Sequence, residues 1–317
     1  MNILVASDSF KGTFSSMEIG EMVRRKFAND TVHVIAISDG GEGFCDAACH
    51  ALGGTPVSLT VHDPLMRPIE AHYCIASSGI AIVEMAQASG LTLLSPSERN
   101  PLLTSTYGTG ELIRHAILHG HRQIVIGLGG SATNDCGSGL LDALADTRHL
   151  LHDCHITIAS DVTSPLCGPL GATYVFARQK GADESMLPLL EQRNMEFGRR
   201  LEEQTGRSII NTPGAGAAGG TGAALLSLPH TTITPGIDLM LNWQRFDQLV
   251  PHADIVITGE GCLDRQTLLG KAPFVIAQRT KHFGVPCIAL CGRNELTPEE
   301  LSASPFAEVH TLTEWGL

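Results

Sequence analysis

The first fifty residues alternate twice between a short apolar run and a helix-forming stretch, and each junction is a loop of acidic, hydroxyl and glycine residues. Ile3-Leu4-Val5-Ala6 ends in Ser7-Asp8-Ser9-Phe10-Lys11-Gly12-Thr13, after which Ser15 and Glu18 form a capping-box pattern for a helix reaching about Phe27. Residues 32–37 form the second apolar run and end in Ser38-Asp39-Gly40-Gly41-Glu42-Gly43, with another helix from near Phe44. Strand, loop and helix repeating in this order restrict the chain to an α/β architecture with a parallel, doubly wound sheet. In such a sheet ligands bind outside the carboxyl ends of the strands, so both acidic loops are expected on one crevice.

The same grammar returns at 123–140, QIVIGLGGSATNDCGSGL, where Ile124-Val125-Ile126 reads as a buried strand before glycines, hydroxyls and a new helix. Glycines let the backbone approach a ligand, and the helix start offers N–H groups and the positive dipole end. Between these units the texture changes. Residues 56–61, 69–76 and 80–84 read as strands without intervening helices, the first two around the turn 63–68. Residues 156–159 and 172–177 read as further strands, and 184–205 as a charged helix. The glycine-rich run 213–222 suits either close packing of small residues or a ligand cradle. The first texture resumes with a strand at 254–257 ending in Thr258-Gly259-Glu260-Gly261-Cys262-Leu263-Asp264, then a helix led by Lys271-Ala272-Pro273, and strands at 286–290 and 308–312. The expected organisation is a Rossmann-like domain of residues 1–54, 108–136 and 237–317, with a mixed-sheet α/β domain of 55–107 and 137–236. The 123–140 loop would then mark a crossing between domains and line the cleft.

The 317 residues suffice for a core in each domain. A formal charge of −12 and only 5% aromatic residues argue against nucleic acid and against an anionic membrane as partners. No apolar run approaches the ~20 residues of a membrane helix. The nine cysteines never form CxxC, and Cys45/Cys49 and Cys287/Cys291 lie in apolar segments, so reduced, buried thiols and a cytoplasmic location are expected. His149, His152 and His155, beside Asp153 and Cys154, fit surface positions in a polar connection better than a metal site.

No Walker A, GxSxG or HExxH pattern is present, and no GxGxxG follows the first strand. What recurs is carboxylate beside glycine at strand ends: Asp8, Asp39, Glu42, Asp135, Asp161, Glu260 and Asp264. With Lys11, Lys180 and Lys271 these suit Mg²⁺-nucleotide phosphoryl transfer. Mg²⁺ takes one or two carboxylates plus phosphate oxygens, lysines neutralise transferring charge, and one carboxylate accepts the acceptor's proton.

The motifs DSFKGT (8–13), SDGGEG (38–43), EMAQASGL (84–91), RNPLLTSTYGTGELI (99–113), GGSATND (129–135), SDVTSPLCGPLGA (160–172), QKGA (179–182), PGAGAAGGTGAAL (213–225) and TGEGCLDRQTLLGKAP (258–273) occur in that order. Together they closely resemble the bacterial class I glycerate kinases, and the resemblance runs from the first strand to about Gly292. It implies two α/β domains with the site in the cleft between them, and ATP-dependent phosphorylation of D-glycerate to 2-phosphoglycerate with Mg²⁺. Within those motifs Asp264 is the expected proton acceptor, with Asp8 and Asp39 as competitors, and Lys11 and Lys271 neutralise phosphate. Gly129, Gly130, Ser131, Asn134 and Asp135 would hold phosphates or the glycerate carboxylate, and Lys180, Gly214, Gly216 and Gly219 would serve phosphate as well. Arg67 and Arg99 are candidate carboxylate clamps, and Asp161 and Glu260 candidate metal ligands.

The chain departs from the family pattern in being shorter between Leu144 and His155 and in stopping at Leu317, before the terminal helices usual in the family. Cys136, Ser160 and Ala177-Arg178 also stand where other residues are usual. Apolar surface uncovered by the shortenings would be answered by homo-oligomerisation or a looser cleft. Two alternatives follow: a kinase for another small hydroxy acid, and a non-catalytic relative that binds nucleotide or hydroxy acid.

Overall fold

The structure, a computed structural model, describes residues 1–10 and 13–317. The chain divides into two compact units, Met1–Asp39 with Ile237–Leu317, and Gly40–Gly236. Its strands in chain order are β1 (Asn2–Val5), β2 (Thr31–Val34), β3 (Thr55–His62), β4 (Pro68–Ile75), β5 (Ala81–Glu84), β6 (Gln123–Gly127), β7 (His155–Ala159), β8 (Thr231–Thr234), β9 (Ile255–Leu263), β10 (Cys287–Asn294) and β11 (Glu308–Thr311).

In the first unit the sheet order is β11-β10-β9-β1-β2, with every pairing parallel. Ile3, Leu4 and Val5 are at most 2% exposed, as a central strand covered on both faces demands. The helix Ser16–Lys26 lays Ile19 and Val23 onto β1 in one apolar cluster. Ser15 caps its start reciprocally with Glu18, and Arg24, Arg25 and Lys26 occupy the last turn, where cations complement the helix dipole.

In the second unit the order is β3-β4-β5-β6-β7-β8. β3, β4 and β5 pair antiparallel, whereas β5 to β8 run parallel. The β3–β4 hairpin closes on Asp63, which is 2% exposed and accepts the Leu65 and Arg67 backbone N–H groups at 2.8 and 2.9 Å. The helix Tyr107–Leu118 buries Leu112, Ile113, Ala116 and Ile117 in the cluster formed by this sheet.

Several expectations from sequence are corrected. Residues 40–54 and 108–136 belong to the second unit, because β6 is a central strand of the six-stranded sheet. The chain passes between units at Asp39–Gly40 and Gly236–Ile237 and not within the 123–140 loop, whose Gly129 N–H donates to the Gly40 carbonyl at 2.9 Å. A run of β-branched residues marks a doubly covered strand without specifying which sheet receives it. Residues 172–177 form a helix, Ala172–Phe176, instead of a strand; a short apolar run has no periodicity to decide between the two. β9 continues through Gly261 and Cys262 to Leu263, so Glu260 sits on a strand and not in a loop. Cys49 is disulfide-bonded to Cys74, with Cα atoms 5.7 Å apart, while Cys45 is a buried free thiol. Reduced thiols are expected from the apolar segments around the cysteines, but Cys49, on the helix Phe44–Ala51, meets Cys74 on β4, where Gly54 leaves room for both sulfurs. No helix among the described residues is long and apolar enough to cross a membrane.

Glu84 ends β5, is 1% exposed, and accepts the N–H groups of Gly43 and Cys45 at 3.2 and 3.0 Å. It thereby caps the helix Phe44–Ala51, whose own N-cap, Gly43, has no side chain to do so. Burial raises its carboxyl from 4.5 to about 7; the two N–H groups oppose the rise, and nearby Asp46 and Glu42 add to it. A raised folded-state pKa favours the protonated fold. This contribution is complete below pH 4.5 and is lost as pH rises to about 7. The loss is of order 3 kcal/mol. Urea unfolding of the parent and of Glu84→Gln across pH 4–8 should show the parent losing stability relative to the variant in that window. Identical pH slopes would remove Glu84 as the responsible group.

Candidate active site

At the carboxyl ends of the first unit's strands lies a cavity of about 410 Å³. Its walls come from Asp8, Ser9, Phe10, Thr13 and Phe14 after β1, Asp39 after β2, and Glu260 to Cys262 on β9. Asp264, Lys271, Gly292 and Leu312 complete it. The parallel direction of the five strands is what brings these segments to one edge. Close packing helps: a side chain at Gly259 would lie 2.4 Å from the Leu290 carbonyl oxygen, so β9 and β10 approach tightly there.

Lys271 is the N-cap of the helix Ala272–His282, with proline in its first turn. Its Nζ stands 3.4 Å from Glu260 Oε2 and 3.2 Å from Asp264 Oδ1. Partial burial would lower this amine, but the two carboxylates outweigh it and raise the pKa, so Lys271 is charged. Glu260 is raised, chiefly by desolvation, against hydrogen bonds from Thr267 and Lys271. Asp264 goes the other way. Desolvation alone would raise it, yet the Lys271 ammonium and the Thr267 N–H hold it below its ordinary value. One ammonium thus sits between an anchored carboxylate of raised pKa and one that stays ionised.

Of the residues expected at the site, Asp8, Asp39, Asp264, Lys271 and Glu260 line this cavity. Lys11 lies outside the described residues. The others belong to the second unit. There the loop after β6 gathers around Lys180, 2% exposed, whose Nζ donates to Ser131 Oγ at 2.8 Å and to the Thr133 carbonyl at 2.6 Å. Burial lowers its pKa to about 7, with Asp135 opposing the fall. Asn134 is 1% exposed, and neither its Oδ1 nor its Nδ2 has a hydrogen-bond partner among the described residues; the Thr133 hydroxyl is likewise unpartnered. Unpaired buried amide atoms cost about 1–3 kcal/mol each, which marks this loop as a place where a polar guest is stabilising.

Several of the remaining expected residues bond or pack within their own unit. Asp135 accepts from the Thr106 N–H and hydroxyl and from the N–H groups of Gly137 and Gly139, fastening the start of the helix Ser138–Ala143 to that of Tyr107–Leu118. Arg67 donates Nε to Asp63 at 2.5 Å and Nη1 to Glu98 at 2.6 Å, so its guanidinium is held by carboxylates of its own chain. The Arg99 backbone packs on Gly181. Gly219, at φ +67°, has the Thr133 carbonyl where a side chain would be, at 2.1 Å, and Gly216 meets the Pro165 carbonyl in the same way. Gly214 packs against Ile233, Gly129 against Gly41, and Gly130 takes a positive φ of 74° before Ser131. Asp161 follows β7 in the same unit.

Sequence reasoning missed Thr267. It is fully buried and hydrogen-bonded to both carboxylate-bearing segments of the cavity. The signal was the spacing Asp264-x-x-Thr267, the reciprocal arrangement of a capping box.

The family model for the glycerate kinase family matches residues 3–148 and 145–315. Its two matched segments overlap at residues 145–148, in the 3₁₀ segment Ala145–Asp153. A glycerate kinase of Halalkalibacterium halodurans is 38% identical, with 92% of this chain and 85% of that protein aligned. A glycerate 2-kinase of Escherichia coli K12 is 35% identical over the same shares. The crystal structure of a putative glycerate kinase 2 from Salmonella typhimurium LT2 superposes with a TM-score of 0.79 at 34% identity, covering 98% of this chain and 90% of that one. Strand order, cavity and these matches agree: the chain belongs to the glycerate kinase family.

Proposed function

We propose that the chain transfers the γ-phosphoryl group of ATP to the 2-hydroxyl of D-glycerate, giving 2-phosphoglycerate and ADP. Family membership supports donor and acceptor, and the glycerate 2-kinase relative supports the 2-hydroxyl. The observation that carries the chemistry is the Lys271 ammonium held between Glu260 and Asp264 in a cavity also lined by Asp8 and Asp39.

In this reading the acceptor oxygen bonds to the γ-phosphorus as the bond to the ADP oxygen breaks, and the hydroxyl proton passes to Asp264. A carboxylate kept ionised by Lys271 suits that part, because a loose phosphoryl-transfer transition state needs its proton accepted late and the nucleophile held in line. Lys271 offsets charge on the transferring group. Mg²⁺ takes one or two protein carboxylates with phosphate and water completing its shell, and the described residues hold no group of three His, Cys, Asp or Glu placed for a tighter metal. Asp8 and Asp39, carboxylates that line the cavity, would hold it. Bound there, the ion would neutralise the phosphate oxygens. In the second unit Lys180, Ser131 and Asn134 form an anion loop suited to a carboxylate or phosphate oxygen, supported by the unpaired Asn134 amide.

Coupled ADP release measured across D-glycerate, L-glycerate and other small hydroxy acids should give the highest kcat/KM with D-glycerate. A different preferred acid would replace the substrate, and Mg-ATP binding without turnover would favour a non-catalytic role. Asp264→Asn should lower kcat at least about 100-fold with folding intact, and near-parental kcat would remove Asp264 as proton acceptor. Lys180→Met should raise the KM of the ligand whose anionic group it receives by about 10- to 100-fold. In the parent that KM should climb as pH passes about 7, where the free amine loses its proton, and the variant should lack this climb. Unchanged KM values for both substrates would show that the loop binds neither.

A further inference from the structure

Thr267 opens the short 3₁₀ turn Thr267–Leu269 and is completely buried. Its hydroxyl has one proton, which it donates to Glu260 Oε1 at 2.5 Å. The same oxygen accepts the backbone N–H of Asp264 at 2.9 Å, and the Thr267 N–H donates to Asp264 Oδ1 at 3.1 Å. With the proton committed to Glu260, the 3.4 Å approach of the hydroxyl to Asp264 Oδ1 is not a second donation. Glu260 is thereby held with one oxygen on Thr267 and the other facing Lys271 at 3.4 Å, and Asp264 is held in a turn that sets its oxygen 3.2 Å from the same ammonium.

We propose that Thr267 is a positioning residue for phosphoryl transfer, its hydroxyl fixing Glu260 and the Asp264 turn at the spacing that the Lys271 ammonium bridges. This rests on the reading that the cavity of the first unit is the transfer site. Lys271 reaches two carboxylates from two segments, β9 and the turn after it, and Thr267 is the side chain that ties those segments to each other. Without the hydroxyl, Glu260 Oε1 loses its donor and the Asp264 N–H loses its acceptor. Lys271 then follows whichever carboxylate moves. An ammonium displaced by a fraction of an ångström still binds anionic ligands but no longer meets the transferring group in line, so the loss falls on turnover more than on affinity.

The test compares full-length parent, Thr267→Val, Thr267→Ser and Asp264→Asn for kcat, for KM with ATP and with D-glycerate, and for thermal unfolding. Valine keeps the shape and removes the hydroxyl; serine keeps the hydroxyl and removes a methyl. Expected are a fall in kcat of about 10- to 100-fold for Thr267→Val with both KM values within about threefold, and recovery to within about threefold of parent in Thr267→Ser. A purely structural threonine would lower the melting temperature while kcat per folded molecule stayed at the parental value, and that result overturns the inference, as does a serine variant no better than valine. If the valine variant does not fold, Thr267→Ala removes the same hydroxyl and is judged by the same split. Loss of turnover in Asp264→Asn with parental kcat in Thr267→Val sinks the role of Thr267 and leaves the site standing. Parental turnover in both places the transfer site elsewhere.

Discussion

Five strands running in one direction open all their carboxyl ends on a single edge, and the first unit is built around that constraint. Once β1, β2, β9, β10 and β11 are parallel, the segments that follow them have nowhere else to gather. Asp8 and Asp39 arrive from the start of the chain, Glu260, Asp264 and Lys271 from its last quarter, and they line one cavity because the strands carrying them pair side by side. The apolar content of those strands supplies the stability, and the polar ends are held in place by it.

Within that frame the electrostatics are local. Lys271 keeps Asp264 ionised and remains charged in return, while Glu260, more deeply buried, is pushed toward its neutral form despite the same ammonium. The difference lies in desolvation and in hydrogen bonds, since both carboxylates are within 3.4 Å of the amine. The second unit uses buried charge in another way. Glu84 and Asp135 collect backbone N–H groups at helix starts that lack capping side chains of their own, and Lys180 spends its protons on the loop after β6. Charge there organises loops, while among the described residues the buried Asn134 amide and Thr133 hydroxyl of the loop after β6 are left without hydrogen-bond partners.

How far the sequence could be read varied by residue for physical reasons. Asp8, Asp39, Asp264 and Lys271 were legible as one group because carboxylate and lysine beside glycine at strand ends obey a rule of parallel sheets. The two kinds of sheet were legible too, from helices between strands in one part and hairpin-like spacing in another. The membership of 108–136 was not: β6 is as apolar as β1, and nothing in its residues says which sheet it completes. Arg67 looked like a clamp for a ligand carboxylate, but Asp63 four residues before it had the same chemistry to offer and was nearer. Gly216 and Gly219 looked like a cradle because the residue type that admits a phosphate also admits a neighbouring carbonyl. Thr267 went unread since the spacing Asp264-x-x-Thr267 announces only a local turn, and the bond of its hydroxyl to Glu260 exists only in the folded chain.

Residue order by itself settled the alternation of apolar strands with acidic, glycine-bearing loops, hence the α/β class, the parallel first sheet and the family, because these follow from local periodicity and from motifs contiguous in the chain. Tertiary structure alone decided which strand joins which sheet, that Cys49 meets Cys74, that Arg67 and Asp135 serve their own chain, and that Thr267 ties Glu260 to Asp264. Each of those depends on two segments distant in sequence or on a competition for one donor or acceptor. Such a competition has an outcome only when the distances are fixed by the packed core.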